Sequence, residues 1–265
     1  MKLNKVRVLH NRCVGPSYYK IGLETGYGMD EVQPGQFVMI QIPGLADALL
    51  RRPFSIYRTF GGPSKPQAIE VLYRVVGKGT DRLSYIKEGE LLSILGPLGK
   101  GFSVAPDSGL VYVIAGGIGM APLNFLILRL LDKGFDTNKI RLFFGGRSIS
   151  DAVLMEDLKP VLPNVRVATE DGTLGQKALV TDLAETEIRQ TPPDMICACG
   201  PMAMLKKIGE MALQYKIPCQ VSLEAIMACG LGACLGCAMK NTLAENQYVH
   251  VCKDGPVFNL KDFRF

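Results

Sequence analysis

Over residues 1–103 the apolar positions come in short runs of strand length, cut at close intervals by turn signals: Pro34-Gly35, Gly61-Gly62-Pro63, Gly77-Lys78-Gly79, Gly89 and Gly96-Pro97. Glycine and proline at such breaks reverse the chain before a helical period can build. The clearest strands cover 36–43 and 68–76, and residues 81–86 read as a short helix crossing one end. Many short strands at this spacing predict an antiparallel β-barrel.

From 104 the pattern changes to buried strands alternating with amphipathic helices, which predicts an open parallel α/β sheet. Strands are expected at 110–115, 140–144, 165–169 and 195–199. Helices are expected at 121–133, closed by Gly134, and around 150–158, 177–183 and 202–215. Residues 218–265 hold a cysteine-rich loop between apolar segments and are expected to form a small C-terminal cluster domain. The predicted domains are therefore 1–103, 104–217 and 218–265, a β-barrel followed by an α/β unit and an appendage.

Composition narrows the function. With 265 residues, 48% of them apolar, the chain can bury real cores. The net charge of +5 is spread without a basic run, which argues against a nucleic-acid role. The N-terminal stretch lacks an apolar signal core, and the longest apolar stretch, 121–131, is broken by Asn124 and Arg129 and is too short to span a bilayer. A soluble, cytoplasmic protein is expected. The eight cysteines then read as reduced thiols and metal ligands, not a disulfide framework. Cys13, Cys197, Cys199 and Cys219 lie in strand-like apolar surroundings and are expected to be small buried hydrophobes.

The other four carry the chemistry. Cys229, Cys234 and Cys237 follow C-x4-C-x2-C, and Cys252 comes after fourteen intervening residues. That is the plant-type spacing for a [2Fe–2S] cluster, and Gly230, Gly232, Ala233 and Gly236 let the backbone close around it. A structural zinc more often uses two Cys-x2-Cys knuckles, and here only Cys234 and Cys237 form one. A [2Fe–2S] centre passes single electrons, so the question becomes where they come from and go.

Four segments could bind nucleotides. Gly116-Gly117-Ile118-Gly119-Met120-Ala121-Pro122 follows a strand and opens a helix, where glycines admit a pyrophosphate. The fingerprint is incomplete: Pro122 replaces the third glycine, and no acidic residue ends the second strand about twenty positions on. Cys199-Gly200-Pro201-Met202 sits at another strand-to-helix junction. Arg51-Arg52-Pro53-Phe54-Ser55-Ile56 could offer a phosphate partner, a planar surface and a hydroxyl, and Gly77-Lys78-Gly79-Thr80 could cradle a phosphate. Each alone reads equally as an ordinary turn or strand. Arg147 and Ser148 after the second strand could hold a 2′-phosphate or begin a helix. Of the two histidines, His250 reads as a strand residue near Cys252, and no general acid or base is evident.

The order of these motifs resembles the ferredoxin–NADP+ reductase superfamily over essentially the whole chain. Within it, Arg51 to Ile56, Val75-Val76-Gly77-Lys78-Gly79-Thr80, Gly96-Pro97-Leu98-Gly99-Lys100-Gly101-Phe102 and Met227 to Cys237 resemble the electron-transfer subunits of class 1B dihydroorotate dehydrogenases. The resemblance implies FAD between barrel and α/β domain, held by Arg52, Pro53, Phe54, Ser55, Leu72, Tyr73, Arg74, Gly79 and Thr80. It implies NAD at Gly116, Gly117, Gly119, Pro122, Cys199, Gly200, Pro201 and Met202, and the cluster on Cys229, Cys234, Cys237 and Cys252. It also implies a separate FMN-containing catalytic subunit that oxidises dihydroorotate in pyrimidine biosynthesis, assembled with this chain as a heterotetramer of two copies each. Electrons would run from that FMN through [2Fe–2S] and FAD to NAD+. The competing readings are an NAD(P)H–ferredoxin oxidoreductase or hydrogenase diaphorase subunit, and a non-catalytic module whose four cysteines hold a structural zinc.

Overall fold

Alternation of inward apolar and outward polar residues closes the N-terminal strands on themselves. The computed structural model describes residues 2–25, 32–44, 50–62, 65–243 and 247–265, so Pro63 of the expected Gly61-Gly62-Pro63 turn lies outside the described residues. The strands are β1 (Lys2–Gly15), β2 (Tyr18–Glu24), β3 (Phe37–Gln41), β4 (Arg52–Gly62), β5 (Lys65–Arg74) and β6 (Leu91–Leu98). They form a closed antiparallel barrel in the order β1-β2-β5-β4-β3-β6. Val8, Ile21, Ile40, Ile56, Val71 and Ile94 fill it. Helix α1 (Lys78–Ser84) lies against this core through Leu83, and the Asn11 amide caps its end by donating to the Leu83 and Ile86 carbonyls.

The second sheet has seven strands: β7 (Val111–Gly116), β8 (Ile140–Gly146), β9 (Val165–Thr169), β10 (Gln176–Lys177), β11 (Met195–Cys199), β12 (Cys219–Ser222) and β15 (Val257–Asn259). Their order is β10-β9-β8-β7-β11-β12-β15, parallel throughout except for the antiparallel edge strand β15. Every residue of β7 is buried, as expected where helices cover both faces. The helices are α2 (Met120–Asp132), α3 (Val180–Gln190) and α4 (Met202–Gln214). Gly134, at φ 78°, ends α2 in the left-handed region that glycine tolerates. Strands β13 (Ala238–Lys240) and β14 (Tyr248–His250) pair as a separate hairpin beside the cysteine loop, and His250 ends β14 as a strand histidine.

Three local expectations need correction. The helix expected near 177–183 is α3, displaced toward the C-terminus, because Gln176 and Lys177 pair with β9 while Val180, Ala184 and Ile188 supply the apolar stripe. The segment expected as a helix at 150–158 is a 3-10 turn over Ile149–Met155: Ser148 caps it, and the Asp151 carboxylate turns back to the Arg147 backbone instead of facing solvent. Cys13 is exposed, not buried, since it lies on the outer face of β1.

Barrel and sheet meet through α2 and the 149–161 segment. The Asn124 side chain, fully buried, donates to the Tyr57 carbonyl at 3.2 Å. Asp157 accepts from the Lys20 ammonium at 2.8 Å and the Tyr57 hydroxyl at 3.0 Å, and it pairs with Arg58 at 3.3 Å. Burial acts to raise the Asp157 carboxyl, but the Lys20 and Arg58 cations and the Tyr57 hydroxyl outweigh it and hold it below the ordinary carboxylate range.

Candidate functional site: a nucleotide cleft beside a cysteine loop

At the carboxyl edge of the sheet, facing the barrel, lies a cavity of about 680 Å³. Ligands in open α/β sheets bind at this edge, where the strand order reverses. One wall is Arg52, Pro53, Phe54 and Ser55 of β4 with Leu72, Tyr73 and Arg74 of β5. Gly79 and Thr80 at the start of α1 close its end. Pro122 of α2 and Cys199 of β11 reach it from the sheet. All nine residues expected at the flavin thus share one cavity with two of those expected at the nicotinamide nucleotide.

The remaining expected residues lie just behind. Gly116 and Gly119 pack against the Cys199-Gly200-Pro201 turn so closely that a Cβ at Gly116 would stand 2.7 Å from Pro201 Cδ, and one at Gly119 would overlap the Cys199 carbonyl. Gly117 needs its positive φ of 52°. The two turns therefore form one floor, although Gly116, Gly117, Gly119, Gly200, Pro201 and Met202 do not line the cavity itself. The Thr80 hydroxyl is committed to its own loop, accepting from the Val76 and Gly77 amides at 2.9 and 3.3 Å.

Aromatic rings interlock in the barrel wall. Tyr73 stacks on Tyr19 at 5.5 Å and meets Phe54 edge-on at 6.0 Å, and its hydroxyl donates to Asn11. Burial lifts that hydroxyl well above the usual tyrosine range, so it stays protonated. Arg74 lies 5.5 Å from the Tyr18 ring.

Sequence reasoning missed the segment after β12. Ser222, Leu223, Glu224, Ala225 and Met227 line the same cavity. Their signal was position: they leave a parallel strand at the edge that carries ligands. Glu224 reaches solvent through the mouth of the cavity but is enclosed by its walls, and the resulting desolvation raises its carboxyl above the ordinary range. Cys199 is fully buried, and burial, then the Glu224 charge, lift its thiol far above neutrality. It is therefore a thiol that packs and shapes the floor, not a thiolate. Cys197 is pushed up to about 12 by burial alone.

Met227 leads in two residues to Cys229 and the cysteine loop, which sits against the barrel: a Cβ on Gly230 would meet Met39 Cγ at 2.7 Å. Gly230 and Gly232 take φ of 73° and 78°, and Leu235 takes 59°, a conformation that costs a branched residue strain. No three His, Cys, Asp or Glu side chains among the described residues form a ready-made mononuclear site. The four cysteines instead fall into two contacting pairs. Cys237 and Cys252 Sγ lie 3.2 Å apart, and Cys229 Sγ accepts from the Cys234 thiol and backbone. A [2Fe–2S] group takes two thiolates on each iron, so two pairs suit it, whereas zinc draws four ligands to one point. Backbone amides already point at the sulfurs: Leu231 N–H donates to Cys229 at 3.3 Å and Gly232 N–H to Cys252 at 3.1 Å. Burial acts to raise the Cys229 thiol, but donors from Leu231, Cys234 and Ala233 outweigh it and bring it to about 6. None of the eight cysteines is in a disulfide. The residues present fit the iron–sulfur group.

Comparison with known proteins agrees with this geometry. The iron–sulfur cluster binding domain of dihydroorotate dehydrogenase B matches residues 224–264, and the oxidoreductase NAD-binding domain matches 113–210. The structure resembles one from the NADH-dependent reduced ferredoxin–NADP oxidoreductase, with a TM-score of 0.81, 27% identity, and coverage of 100% of this chain and 90% of that one. A ferredoxin–NADP+ reductase from Neisseria gonorrhoeae with bound FAD and NADP shares the fold at a TM-score of 0.64 and 13% identity, over 81% of this chain and 92% of that one. The dihydroorotate dehydrogenase B (NAD+) electron transfer subunit of Clostridium acetobutylicum is 36% identical over 95% of this chain and 93% of its own length. That of Caldanaerobacter subterraneus is 38% identical over 98% of both chains. The chain belongs to the family of dihydroorotate dehydrogenase B (NAD+) electron transfer subunits.

Proposed function

We propose that this chain moves electrons between a dihydroorotate-oxidising FMN subunit and NAD+, using a [2Fe–2S] cluster and FAD. The observation that carries the reading is the paired cysteine loop, joined through Met227 to a cavity that gathers nine flavin-type residues from three separate segments. When bound, the flavin and the cluster supply the conversion between single-electron and hydride transfer.

The chain's own residues bind and orient. Arg52 and Arg74 neutralise the flavin phosphates, Pro53, Phe54, Leu72 and Tyr73 pack its ring system, and Ser55, Gly79 and Thr80 complete its contacts. Gly116, Gly117, Gly119, Pro122, Cys199, Gly200, Pro201 and Met202 would hold NAD(H). Cys229, Cys234, Cys237 and Cys252 hold the cluster. The division of labour follows 1–103 for FAD, 104–217 for NAD and 218–265 for the cluster, with β12 and β15 of that last segment completing the α/β sheet. No side chain here is needed as acid or base, because dihydroorotate is oxidised on the partner.

The partner docks on the cysteine loop. Cys234 is exposed there with Leu231, Leu235 and Ile226, the last 90% exposed, an apolar surface that favours being covered. Assembly as a heterotetramer in the cytoplasm fits eight unpaired thiols, which a reducing compartment preserves.

A Cys234→Ser variant tests the ligand assignment: iron content and NADH-driven reduction of one-electron acceptors through the cluster should fall together, and their survival with full iron would refute it. The rival reading, a ferredoxin-linked oxidoreductase subunit, draws on the structural likeness at 27% identity. Dihydroorotate-dependent NAD+ reduction by the complex purified with its native partner separates the two. A visible spectrum tests the zinc-module reading, since flavin and [2Fe–2S] absorb and zinc does not.

A further inference from the structure

The turn after β8 has a support that the electron-transfer reading does not use. Gly116 of the pyrophosphate turn pairs with Gly145, so Gly145, Gly146, Arg147 and Ser148 stand beside it on the carboxyl edge of the sheet. In this fold that neighbouring edge takes the ribose and phosphate of the adenosine half. The Arg147 side chain is exposed and, among the described residues, forms no ion pair. Its backbone N–H, by contrast, donates at 2.7 Å to Asp151 Oδ2. The other oxygen, Asp151 Oδ1, accepts at 2.7 Å from the Tyr18 hydroxyl of the barrel. Asp151 is 8% exposed and Tyr18 2%. Gly146 is bare where the carboxylate lies, since a Cβ there would stand 3.0 Å from Asp151 Cβ and 3.1 Å from Oδ2. Gly15 likewise admits Val153, whose Cγ1 would stand 2.9 Å from a Cβ at that position. Across the Tyr18 ring lies Arg74 of the flavin cleft.

We infer that Asp151 is a positioning residue for NAD(H): it ties the Arg147 turn, which receives the adenosine end of the dinucleotide, to Tyr18 and so to the barrel wall carrying Arg74. The inference rests on the proposed electron-transfer function. A carboxylate shared between a backbone amide of one domain and a hydroxyl of the other fixes both register and distance, so the turn stays where the flavin cleft requires it. Asparagine offers one acceptor oxygen and one amide, and the amide must face one of the two donors, leaving that buried contact unmade.

The test uses the full-length holoprotein with FAD and iron quantified, and steady-state NADH oxidation by ferricyanide. Asp151→Asn is expected to raise the KM for NADH about tenfold, and Tyr18→Phe about threefold, with kcat within about twofold and FAD content unchanged. Tyr18→Phe keeps the proposal testable if Asp151→Asn does not fold. Asp157→Asn, which loosens the same domain joint without touching the turn, is expected to lower Tm and leave KM unchanged. Unchanged KM in both Asp151→Asn and Tyr18→Phe, or an equal rise in Asp157→Asn, overturns the assignment while the electron-transfer reading stands. Failure of the unmodified, FAD-loaded protein to oxidise NADH overturns both.

Discussion

The cysteine loop and the nucleotide cleft are built in opposite ways. Three of the four cluster cysteines sit on one loop of nine residues, and backbone amides of that loop donate to Cys229 and to the fourth ligand, Cys252. The cleft is assembled from β4, β5, α1, α2, β11 and the segment after β12, which are spread along the chain. A local device announces itself by spacing. A distributed one emerges only when the barrel closes and the sheet edge is brought against it. The comparison also predicts how each fails: the loop all at once, the cleft one contact at a time.

The largest effect should come from the loop. Cys252→Ala is expected to abolish iron binding and dihydroorotate-dependent NAD+ reduction, whereas Cys197→Ala, at a similarly buried cysteine in β11, should keep full iron and lose only about 1 kcal/mol of stability to the small cavity. Iron analysis and thermal melts check both, and iron loss in Cys197→Ala would blur the distinction between ligand and packing cysteines.

Arg52→Ala removes one cation from the distributed site. FAD affinity should weaken by about 2 kcal/mol, roughly thirtyfold in Kd, with iron content intact. Fluorescence titration of the apoprotein with FAD reads this directly. Gly119→Ala places a methyl against the Cys199 carbonyl and must push the two turns apart. It should destabilise by about 1–3 kcal/mol and raise the KM for NADH while FAD stays bound, which would separate the two halves of the cleft.

The smallest effect concerns the Asp157 contact between barrel and sheet. The folded-state carboxyl of Asp157 lies below its unfolded value, so its contribution is present above about pH 4 and is lost as pH falls through the lower folded pKa. Melting curves of Asp157→Asn should therefore be less pH-dependent in that acid window than those of the unmodified protein.

This contrast explains what the sequence revealed. C-x4-C-x2-C, the Pro34-Gly35 and Gly89 turns and the strand before Gly116 are local patterns, and the structure has them where expected. Gly116 and Cys199 were each ambiguous alone, because what makes them a site is the contact between their two turns, which lie far apart along the chain. Leu223, Glu224 and Ala225 carried no motif, and only the placement of β12 beside β11 brings them to the cleft. Asp151 carried no signal of its role, since nothing in the sequence shows that Tyr18 of the barrel lies within hydrogen-bond reach. Cys13 reads like the other strand cysteines until the barrel's outer face is known.

The central claim is that NADH and the cysteine loop communicate through this chain. Anaerobic titration of the purified holoprotein with NADH, followed by low-temperature electron paramagnetic resonance, tests it most directly. The account predicts a [2Fe–2S] signal that grows with added NADH, approaches the protein concentration and is absent in Cys252→Ala. A fully iron-loaded protein whose flavin is bleached by NADH while no such signal develops would contradict it.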